Sequence, residues 1–184
     1  MITACELPFQ TREPEEPISD QSSWIQPTSP HYVMTNLRNA ISEKNIANYM
    51  RCLADTSQYA RPFRFLADPA VANRNPSLFA YWGKEEEITM MNQLLLFLPK
   101  DSLSVVKFTL QSETNLVDSV ILVQDYDLDI HHNCKETDCP RHMQGQSEFR
   151  LLKNNQDLWT IYRWNDSASG EEPSWSALKA HFGK

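Results

Sequence analysis

The amino-acid sequence predicts an α+β domain in which helices pack on one face of a curved antiparallel sheet. Over about residues 30–54 and 84–98, apolar residues recur at helical spacing, every three to four positions. From about residue 103 to residue 164 they alternate with polar residues, which is typical of half-buried strands. Helices followed by a run of antiparallel strands indicate the α+β class, in which the helices lie on one side of the sheet.

Two helices and a short strand are expected at the start of the folded part. Ser29 and Pro30 suit the N-cap and first helical positions, because the hydroxyl accepts an otherwise unpaired N–H and proline has none to lose. The apolar spacing that follows predicts a helix over about 30–43 and a shorter one over about 45–54. A short strand is expected over about 63–66.

A third helix is predicted over about 84–98. Its first turn holds the acidic residues Glu85–Glu87, which stabilise the positive end of the helix dipole, and Pro99 ends it. The preceding segment 68–77 is rich in Pro and Asn and is predicted to be a loop or a single turn. The helix face expected to be buried consists of Ile88, Met91, Leu94, Leu95, Phe97 and Leu98.

Four strands and a terminal helix complete the predicted fold. The strands are expected over about 103–112, 118–132, 143–153 and 158–164, and the helix over 174–181. In the last strand, Tyr162 and Trp164 are predicted to share one face. The residues of the other strands predicted to face the core are Val106, Phe108, Leu110, Val120, Leu122, Tyr126, Leu128, Ile130, Phe149 and Leu151.

Residues 1–29 differ in composition from the rest of the chain. They hold five acids, one base and four of the eleven prolines, and they lack glycine. They offer too little apolar surface to offset about 1–2 kcal/mol of backbone entropy per residue, so we expect a disordered or extended acidic tether. The folded domain is predicted to span 30–184.

The start of the chain resembles a bacterial lipobox. Ile2-Thr3-Ala4-Cys5 supplies an aliphatic residue, two small residues and the Cys that would be acylated. A signal peptide needs a basic region and about 7–15 apolar residues before this point, whereas four residues precede Cys5. Either a signal segment is missing from this start or the match is chance. Lipidation predicts an anchor in the bacterial cell envelope, outside the cytoplasm, and a chance match predicts a cytoplasmic protein.

Composition excludes several functional classes. With 17 Lys+Arg and 24 Asp+Glu, the net charge of −7 argues against nucleic acid as a partner. The longest apolar run, Leu94–Leu98, is far shorter than the roughly 20 residues that a membrane helix needs. With four Gly in the chain, a glycine-rich phosphate cradle is not expected, and no cofactor is predicted.

The order of elements resembles the nuclear transport factor 2-like superfamily, the cone-shaped fold shared with SnoaL-like proteins. The segments Asn36–Ile41 and Asn48–Asp55 are similar to its opening helices. Trp82–Glu87 and Leu158–Asp166 are similar to the start of the third helix and the closing strand in uncharacterised bacterial lipoproteins of this kind. The resemblance covers about residues 30–168. It implies a cone-forming sheet with three helices packed on its concave side, but no particular activity, because the fold hosts enzymes, adaptors and binding modules.

A conical pocket would be lined by aromatic side chains. The apolar faces of the predicted elements place five of them on its wall, and the alternative is that these rings simply fill the core. The predicted pocket residues are Tyr49, Phe65, Trp82, Tyr126 and Trp164.

Enzymes of this superfamily place a carboxylate base inside the cone, opposite a tyrosine or acid. Asp68 or Asp55, with Tyr49 or Tyr126, are the residues that this chain offers for such a pair. None lies in a recognisable motif, and Asp68 precedes a proline, as in a simple turn. We therefore predict no catalytic residue.

The loop between the second and third long strands has the pattern H-x2-C-x4-C-x2-H. Its members are His131, Cys134, Cys139 and His142, which together form a complete tetrahedral zinc set. The competing expectations are a Cys134–Cys139 disulfide, favoured in an oxidising compartment, and two free thiols. The spacing matches no standard zinc finger, so the disulfide is predicted and no metal. Cys52 is expected to be a buried small residue.

These observations predict a non-enzymatic, membrane-tethered domain that binds a small apolar ligand or a protein partner. The alternative is a small enzyme that uses the cone, an isomerase or a hydrolase. A homodimer formed through the exposed sheet face is a further expectation.

Overall fold

The computed structural model describes residues 22–57 and 61–184. Within these residues the chain forms helices and strands in the predicted order, and two short helices are added before the third long one. None of the helices in this part of the chain is long and apolar enough to cross a membrane. In chain order the elements are α1 (Pro30–Ser42), α2 (Ile46–Arg51), β1 (Arg64–Leu66), α3 (Pro69–Arg74), α4 (Pro76–Phe79), α5 (Lys84–Phe97), β2 (Ser104–Asn115), β3 (Ser119–Ile130), β4 (His142–Lys153), β5 (Trp159–Ala168) and α6 (Trp175–Phe182).

The five strands form one curved sheet in the order β1-β5-β4-β3-β2. Strands β2 to β5 make an antiparallel meander, and β1 joins its edge in parallel to β5. The α+β class and the curved sheet are therefore confirmed. The parallel edge strand puts Arg64 beside Arg163 on the outer face of the sheet, which matters for the site described below.

The concave face of the sheet carries a continuous row of buried side chains. Phe65, Trp164, Phe149 and Leu122 are cross-strand partners from β1 to β3, and each is buried. Side chains alternate between the two faces of a strand, so the neighbouring row of Arg64, Arg163 and Arg150 lies on the outer face. The concave row forms the wall of the core against which the helices pack.

Helix α5 presents a different face to the core from the predicted one. Its buried residues are Glu87, Met90, Met91 and Leu94, so the prediction was right for Met91 and Leu94. Ile88 and Phe97 are 40 % and 39 % exposed, so the prediction for these two was wrong. The helix turns this way because the Glu87 carboxylate is bonded inside the core.

The predicted loop or single turn over 68–77 contains two short helices, α3 and α4. The Asp68 side chain caps α3 by accepting from the backbone N–H groups of Ala70 and Val71, at 2.9 and 3.2 Å. Pro69 and Pro76 occupy first-turn positions, where a missing N–H costs nothing.

The terminal helix α6 packs into the concave side of the sheet. Trp175 lies against Trp164 with ring centroids 4.6 Å apart and stacks on Phe108 at 6.3 Å. Leu178 and Phe182 are also buried. The sequence predicted three helices on the concave side, and the structure adds α6 to them.

Residues 22–29, the described part of the chain before the predicted domain boundary, are hydrogen-bonded to the domain. Asn36 of α1 accepts from Ile25 N–H at 2.8 Å and donates to the Ile25 carbonyl at 2.6 Å. The N–H of Trp159 donates to the Pro27 carbonyl at 2.8 Å. The rest of the predicted tether, residues 1–21, lies outside the described residues.

A β-bulge interrupts the pairing of β4 with β5. Arg150 pairs with Arg163, and the next residue of β4, Leu151, pairs with Ile161, so Tyr162 has no partner. The bulge leaves Trp164 buried on the concave face and Tyr162 half-buried at the edge of the sheet. The expectation that these two side chains share a face was wrong, because a bulge shifts the alternation by one residue.

Candidate functional site

The concave side of the sheet, where this fold would carry a pocket, is filled by side chains. The space that remains beside Tyr49, Met90, Trp175 and Leu178 is about 20 Å³. That is room for about one water molecule and far less than the several hundred Å³ of a ligand pocket.

A buried hydrogen-bonded network ties three elements together in this filled interior. The Glu87 carboxylate accepts from the Tyr49 hydroxyl at 2.5 Å and from the Trp82 indole N–H at 2.6 Å. It also pairs with the Lys179 ammonium of α6. Both charged side chains are fully buried, so each depends on the other for compensation.

Lys179 lies in a cage of aromatic rings. Its Nζ is 4.4 Å from the ring centre of Phe65, 4.6 Å from that of Trp164 and 5.6 Å from that of Trp82. Burial lowers the pKa of Lys179, while Glu87 opposes that shift. Burial, with the nearby Glu87 charge, raises the pKa of Tyr49 well above its ordinary value. The tyrosine therefore remains a neutral hydrogen-bond donor.

A second buried network lies around Asp166 of β5. Its carboxylate accepts from the Tyr126 hydroxyl at 2.8 Å, and from the backbone N–H and hydroxyl of Ser176 at 2.7 and 2.5 Å. Tyr126 in turn accepts from the N–H of Trp175 at 2.7 Å. Burial raises the pKa of Asp166, while its donors oppose the shift. Burial, with the Asp166 charge, raises the pKa of Tyr126.

The two carboxylates considered as bases in the sequence lie elsewhere. Asp68 caps α3 and accepts from the N–H of Ala168 at 3.0 Å, so its oxygens are used structurally. Asp55 is at the surface and pairs with Lys84 at 3.2 Å. Hydrogen bonds from Ser57, and then Lys84, lower the pKa of Asp55.

The five predicted pocket residues come together around α6. All are at least 96 % buried. Tyr49, Trp82 and Tyr126 belong to the two networks, and Phe65, Trp82 and Trp164 surround Lys179. Phe65 and Trp82 also border an opening on the outside of the molecule. Their role in ligand binding stays a prediction. They are Tyr49, Phe65, Trp82, Tyr126 and Trp164.

An open pocket of about 430 Å³ lies at the β1 edge of the sheet, and we call it the edge pocket. Three arginines surround it, and aromatic side chains form its walls. Among the described residues, no acidic side chain lines it, and none lies within ion-pair distance of these arginines. Its lining residues are Arg61, Pro62, Arg64, Phe65, Leu66, Phe79, Ala80, Tyr81, Trp82, Tyr162 and Arg163.

Aromatic rings hold two of the arginines of the edge pocket. The Arg64 guanidinium lies 3.3 Å from the ring centre of Tyr81. The Arg61 guanidinium donates to the Tyr162 hydroxyl at 3.2 Å. Arg163, the cross-strand neighbour of Arg64, donates to Asn165 at 3.2 Å. The β5 bulge brings Tyr162 to the pocket, which is a common role of bulges beside functional sites.

Sequence reasoning missed the edge pocket. Arg163 lies about a hundred positions after Arg61 and Arg64 and meets them only because β1 adds in parallel to β5. The available signals were Arg64 between Phe63 and Phe65 and Arg163 between Tyr162 and Trp164, and neither indicates which strand lies beside it.

Cys134 and Cys139 are joined as a disulfide, with their Cα atoms 6.4 Å apart. The histidines that the sequence grouped with them are not adjacent to them: His131 is exposed, and His142 bonds to Asp129 of β3 at 2.8 Å. That bond raises the pKa of His142. Two other histidines, His132 and His181, lie beside the cysteines instead.

The remaining two cysteines are Cys52, in the helical part of the domain, and Cys5. Cys52 is buried, and its thiol donates to the Asn48 carbonyl at 3.3 Å. Burial raises the pKa of this thiol. Cys5, the predicted lipidation site, lies outside the described residues.

Comparison with known proteins supports the fold and no more. No family model matches the chain, and no curated protein matches it in sequence. Among solved structures, a putative aromatic ring hydroxylase from Novosphingobium aromaticivorans has a TM-score of 0.59 at 9 % identity, over 84 % of this chain and 96 % of that chain. A conserved protein from Planctomyces limnophilus has a TM-score of 0.58 at 11 % identity, over 76 % of this chain and 92 % of that one.

A third similar structure, from Nostoc punctiforme, is described as a domain of unknown function with a cystatin-like fold. Its TM-score is 0.51 at 6 % identity, over 76 % of this chain and 74 % of that chain. At such identities the likeness extends to the fold alone. The protein has the cystatin-like cone fold, which is the architecture that its order of helices and strands indicated.

Proposed function

We propose that this chain is a non-enzymatic binding domain of the nuclear transport factor 2-like kind, and that its ligand is an organic anion with an apolar body. The observation that carries the proposal is the edge pocket, an open cavity with three arginines and aromatic walls. Guanidinium groups bind carboxylates and phosphates through paired N–H donors, and the adjacent rings supply the apolar contact.

The charge of the pocket supports an anionic ligand. The chain as a whole has a net charge of −7, so a local group of three arginines opposes the overall field. Arg64 and Arg163 lie side by side across β1 and β5, although like charges at such positions destabilise a sheet. An anion placed between them would relieve that repulsion.

A cone-pocket enzyme is the second candidate, and one observation favours it. Two carboxylates lie beside aromatic hydroxyls in the concave side, Glu87 beside Tyr49 and Asp166 beside Tyr126. Each of these carboxylates already has internal donors, however, and about 20 Å³ of space lies beside Tyr49. A substrate would have to displace α6 to reach them, so the binding domain is the better supported proposal.

The membrane anchor is a separate part of the proposal. Lipidation at Cys5, in the sequence Ile2-Thr3-Ala4-Cys5, would place the domain in the bacterial cell envelope, outside the cytoplasm. A disulfide between Cys134 and Cys139 suits that oxidising location.

Fluorescence titration with 1-anilinonaphthalene-8-sulfonate, an aromatic anion, tests the edge pocket. We expect saturable binding at one site that weakens about tenfold or more in Arg64→Gln and in Arg163→Gln. The matched control is Arg38→Gln, on the exposed surface of α1, which should bind as the wild type does. Weakening by Arg38→Gln as large as that by Arg64→Gln, or equal binding of the uncharged N-phenyl-1-naphthylamine, would contradict the proposal.

Intact mass of the native protein from membrane and soluble fractions tests the anchor. We expect a chain that begins at Cys5 and carries added diacylglycerol, recovered with the membranes, and we expect Cys5→Ser to abolish both properties. Recovery of an unmodified soluble chain that retains the residues before Cys5 would refute lipidation without affecting the edge pocket.

A further inference from the structure

Two histidines and two cysteines come together where the β3–β4 loop meets the end of α6. His132, Cys134 and Cys139 belong to the loop, and their ligand atoms lie within 4.8 Å of one another. His181, of α6, has its Nε2 3.4 Å from the Cys134 sulfur, and with Cys134 and Glu136 it forms a second group of this kind, so that the two groups share Cys134. The loop and the helix are far apart in the chain, so this group exists only in the folded protein.

The distances between sulfur and nitrogen suit a tetrahedral metal. With Zn–S near 2.3 Å and Zn–N near 2.05 Å, tetrahedral angles put a sulfur and a nitrogen about 3.6 Å apart. The Cys134 sulfur is 3.4 Å from His181 Nε2, and the Cys139 sulfur is 3.9 Å from His132 Nδ1. Both pairs are thus within about 0.3 Å of the separation expected across a shared zinc ion.

Each histidine also has an oxygen atom near its other ring nitrogen. His132 Nε2 is 2.9 Å from the Pro140 carbonyl, which leaves Nδ1 free to bind a metal. His181 Nδ1 is 4.0 Å from the Asp138 carboxylate, beyond hydrogen-bond distance, and its Nε2 lies 3.4 Å from the Cys134 sulfur and 3.7 Å from the Glu136 carboxylate. Zinc-binding histidines almost always donate to an outer partner that fixes the tautomer and the ring orientation, and the Pro140 carbonyl is in that position for His132.

The loop is held in place by groups outside the cluster. The Arg141 side chain donates to the carbonyls of His132 and Cys134 at 3.2 and 3.0 Å. The N–H of Asn133 donates to the carbonyl of Phe97, at the end of α5, at 2.8 Å. The Phe182 ring packs edge-on against the rings of both His132 and His181. The loop backbone and both imidazole rings are therefore held in place before any metal binds, and the two cysteine side chains are the parts that have to rotate.

From this geometry we infer that His132, Cys134, Cys139 and His181 form a redox-dependent zinc site. In the oxidised protein the two sulfurs are bonded to each other and bind no metal. In the reduced protein the two thiolates and two imidazoles bind one Zn²⁺ tetrahedrally. The inference does not depend on the edge pocket or on the lipid anchor.

Breaking the Cys134–Cys139 disulfide, which frees the two sulfurs to bind metal, is a two-electron reduction. A dithiol reductant transfers two electrons and two protons to the Cys134–Cys139 bond, and it becomes a disulfide itself. Both thiols then lose a proton to solvent as Zn²⁺ binds, because the thiolate is the ligand. Rotation of the two side chains separates the sulfurs to about 3.8 Å, the distance expected across a tetrahedral zinc ion.

Metal titration of the full chain before and after reduction tests this inference. Reduced protein, freed of reductant without oxygen, should bind one Co²⁺ with the visible bands of a tetrahedral site and the near-ultraviolet bands of thiolate ligation. One equivalent of Zn²⁺ should remove both sets of bands. Air-oxidised protein should bind neither ion stoichiometrically.

Matched histidine variants test which side chains bind. We expect His132→Ala and His181→Ala to weaken Zn²⁺ binding about 100-fold or more, since even the loss of an outer partner costs about 10- to 100-fold. His131→Ala and His142→Ala, at the two histidines of the H-x2-C-x4-C-x2-H motif, are the controls and should each change it less than threefold.

The cobalt spectrum of the reduced wild-type protein tests the inference even where a variant fails to fold. Reduced wild-type protein that gives no thiolate bands would overturn the inference. So would a loss of Zn²⁺ affinity in His131→Ala or His142→Ala as large as that in His181→Ala, or equal affinity in the oxidised and reduced proteins.

Discussion

Glu87 joins three parts of the filled interior through its side chain. Its carboxylate receives hydrogen bonds from Tyr49 of α2 and from Trp82, and it pairs with Lys179 of α6. Breaking a buried ion pair by removing one partner is costly, because the remaining charge has no compensation and no access to water. The pair therefore links α2, α5 and α6 at one point.

At this scale we predict that Glu87→Gln lowers the free energy of unfolding by about 3–5 kcal/mol, measured by urea denaturation. The control is Glu85→Gln, an exposed position in the same helical turn, which should change stability by less than about 0.5 kcal/mol. The double variant Glu87→Gln with Lys179→Met should be more stable than the sum of the single effects implies, because the two residues interact directly. A Glu87→Gln variant as stable as the wild type would contradict this account of the core.

The burial of Glu87 could not be predicted from the sequence. Three consecutive glutamates at a helix start indicate a solvated first turn, and nothing in the local pattern marks the third as buried. Its partners come from positions 49, 82 and 179, which the chain brings together only on folding. The same limit affected the cysteine loop: the cysteines were identified, but His181, from the terminal helix, was not.

Among the elements, α6 fills the concave side of the sheet and is bonded to it. Ser176 donates to Asp166 of β5 through both its N–H and its hydroxyl, and the same hydroxyl accepts from the Asp68 N–H at 2.8 Å. One small side chain thus connects α6 to the sheet and to the start of α3. Trp175 occupies the space between Phe108 and Trp164.

Removal of that connection should loosen α6. We predict that Ser176→Ala lowers the free energy of unfolding by about 1–3 kcal/mol, because the buried N–H of Asp68 loses its acceptor. Ser112→Ala, at an exposed position in β2, is the control and should be close to neutral. Equal stability of Ser176→Ala and wild type in urea would show that α6 is not attached in this way.

The elements themselves were largely predictable. Period-two alternation located β2, β3 and β4, and the five residues of β3 predicted to face the core are all buried, because side chains alternate between the two faces of a strand. The prediction for Leu110 of β2 was wrong: it is 46 % exposed, where the register of β2 and β3 shifts. The bulge at Tyr162 and the parallel edge strand β1 were not predictable, because both depend on register between distant segments. Those two features create the edge pocket.

At the scale of the whole molecule, the space available for a ligand differs from the space that the sequence predicted. The sequence predicted a conical pocket on the concave side of the sheet, but α6 and its two buried networks occupy that space. An open cavity with arginines and aromatic walls lies instead at the β1 edge. The closed concave side is therefore the central claim, and it is what leads us to propose binding at the edge pocket.

Hydrogen exchange of the α6 backbone tests that claim most directly. The first N–H groups of a helix normally exchange fast, but here the N–H of Trp175 donates to Tyr126 and that of Ser176 donates to Asp166, both at 2.7 Å. We predict that these two amides exchange as slowly as that of Ile161, near the start of β5, whose N–H donates to the Cys52 carbonyl at 2.9 Å, through global unfolding only. Fast exchange along α6 while Ile161 stays protected would mean that the concave side is open, and would contradict the account.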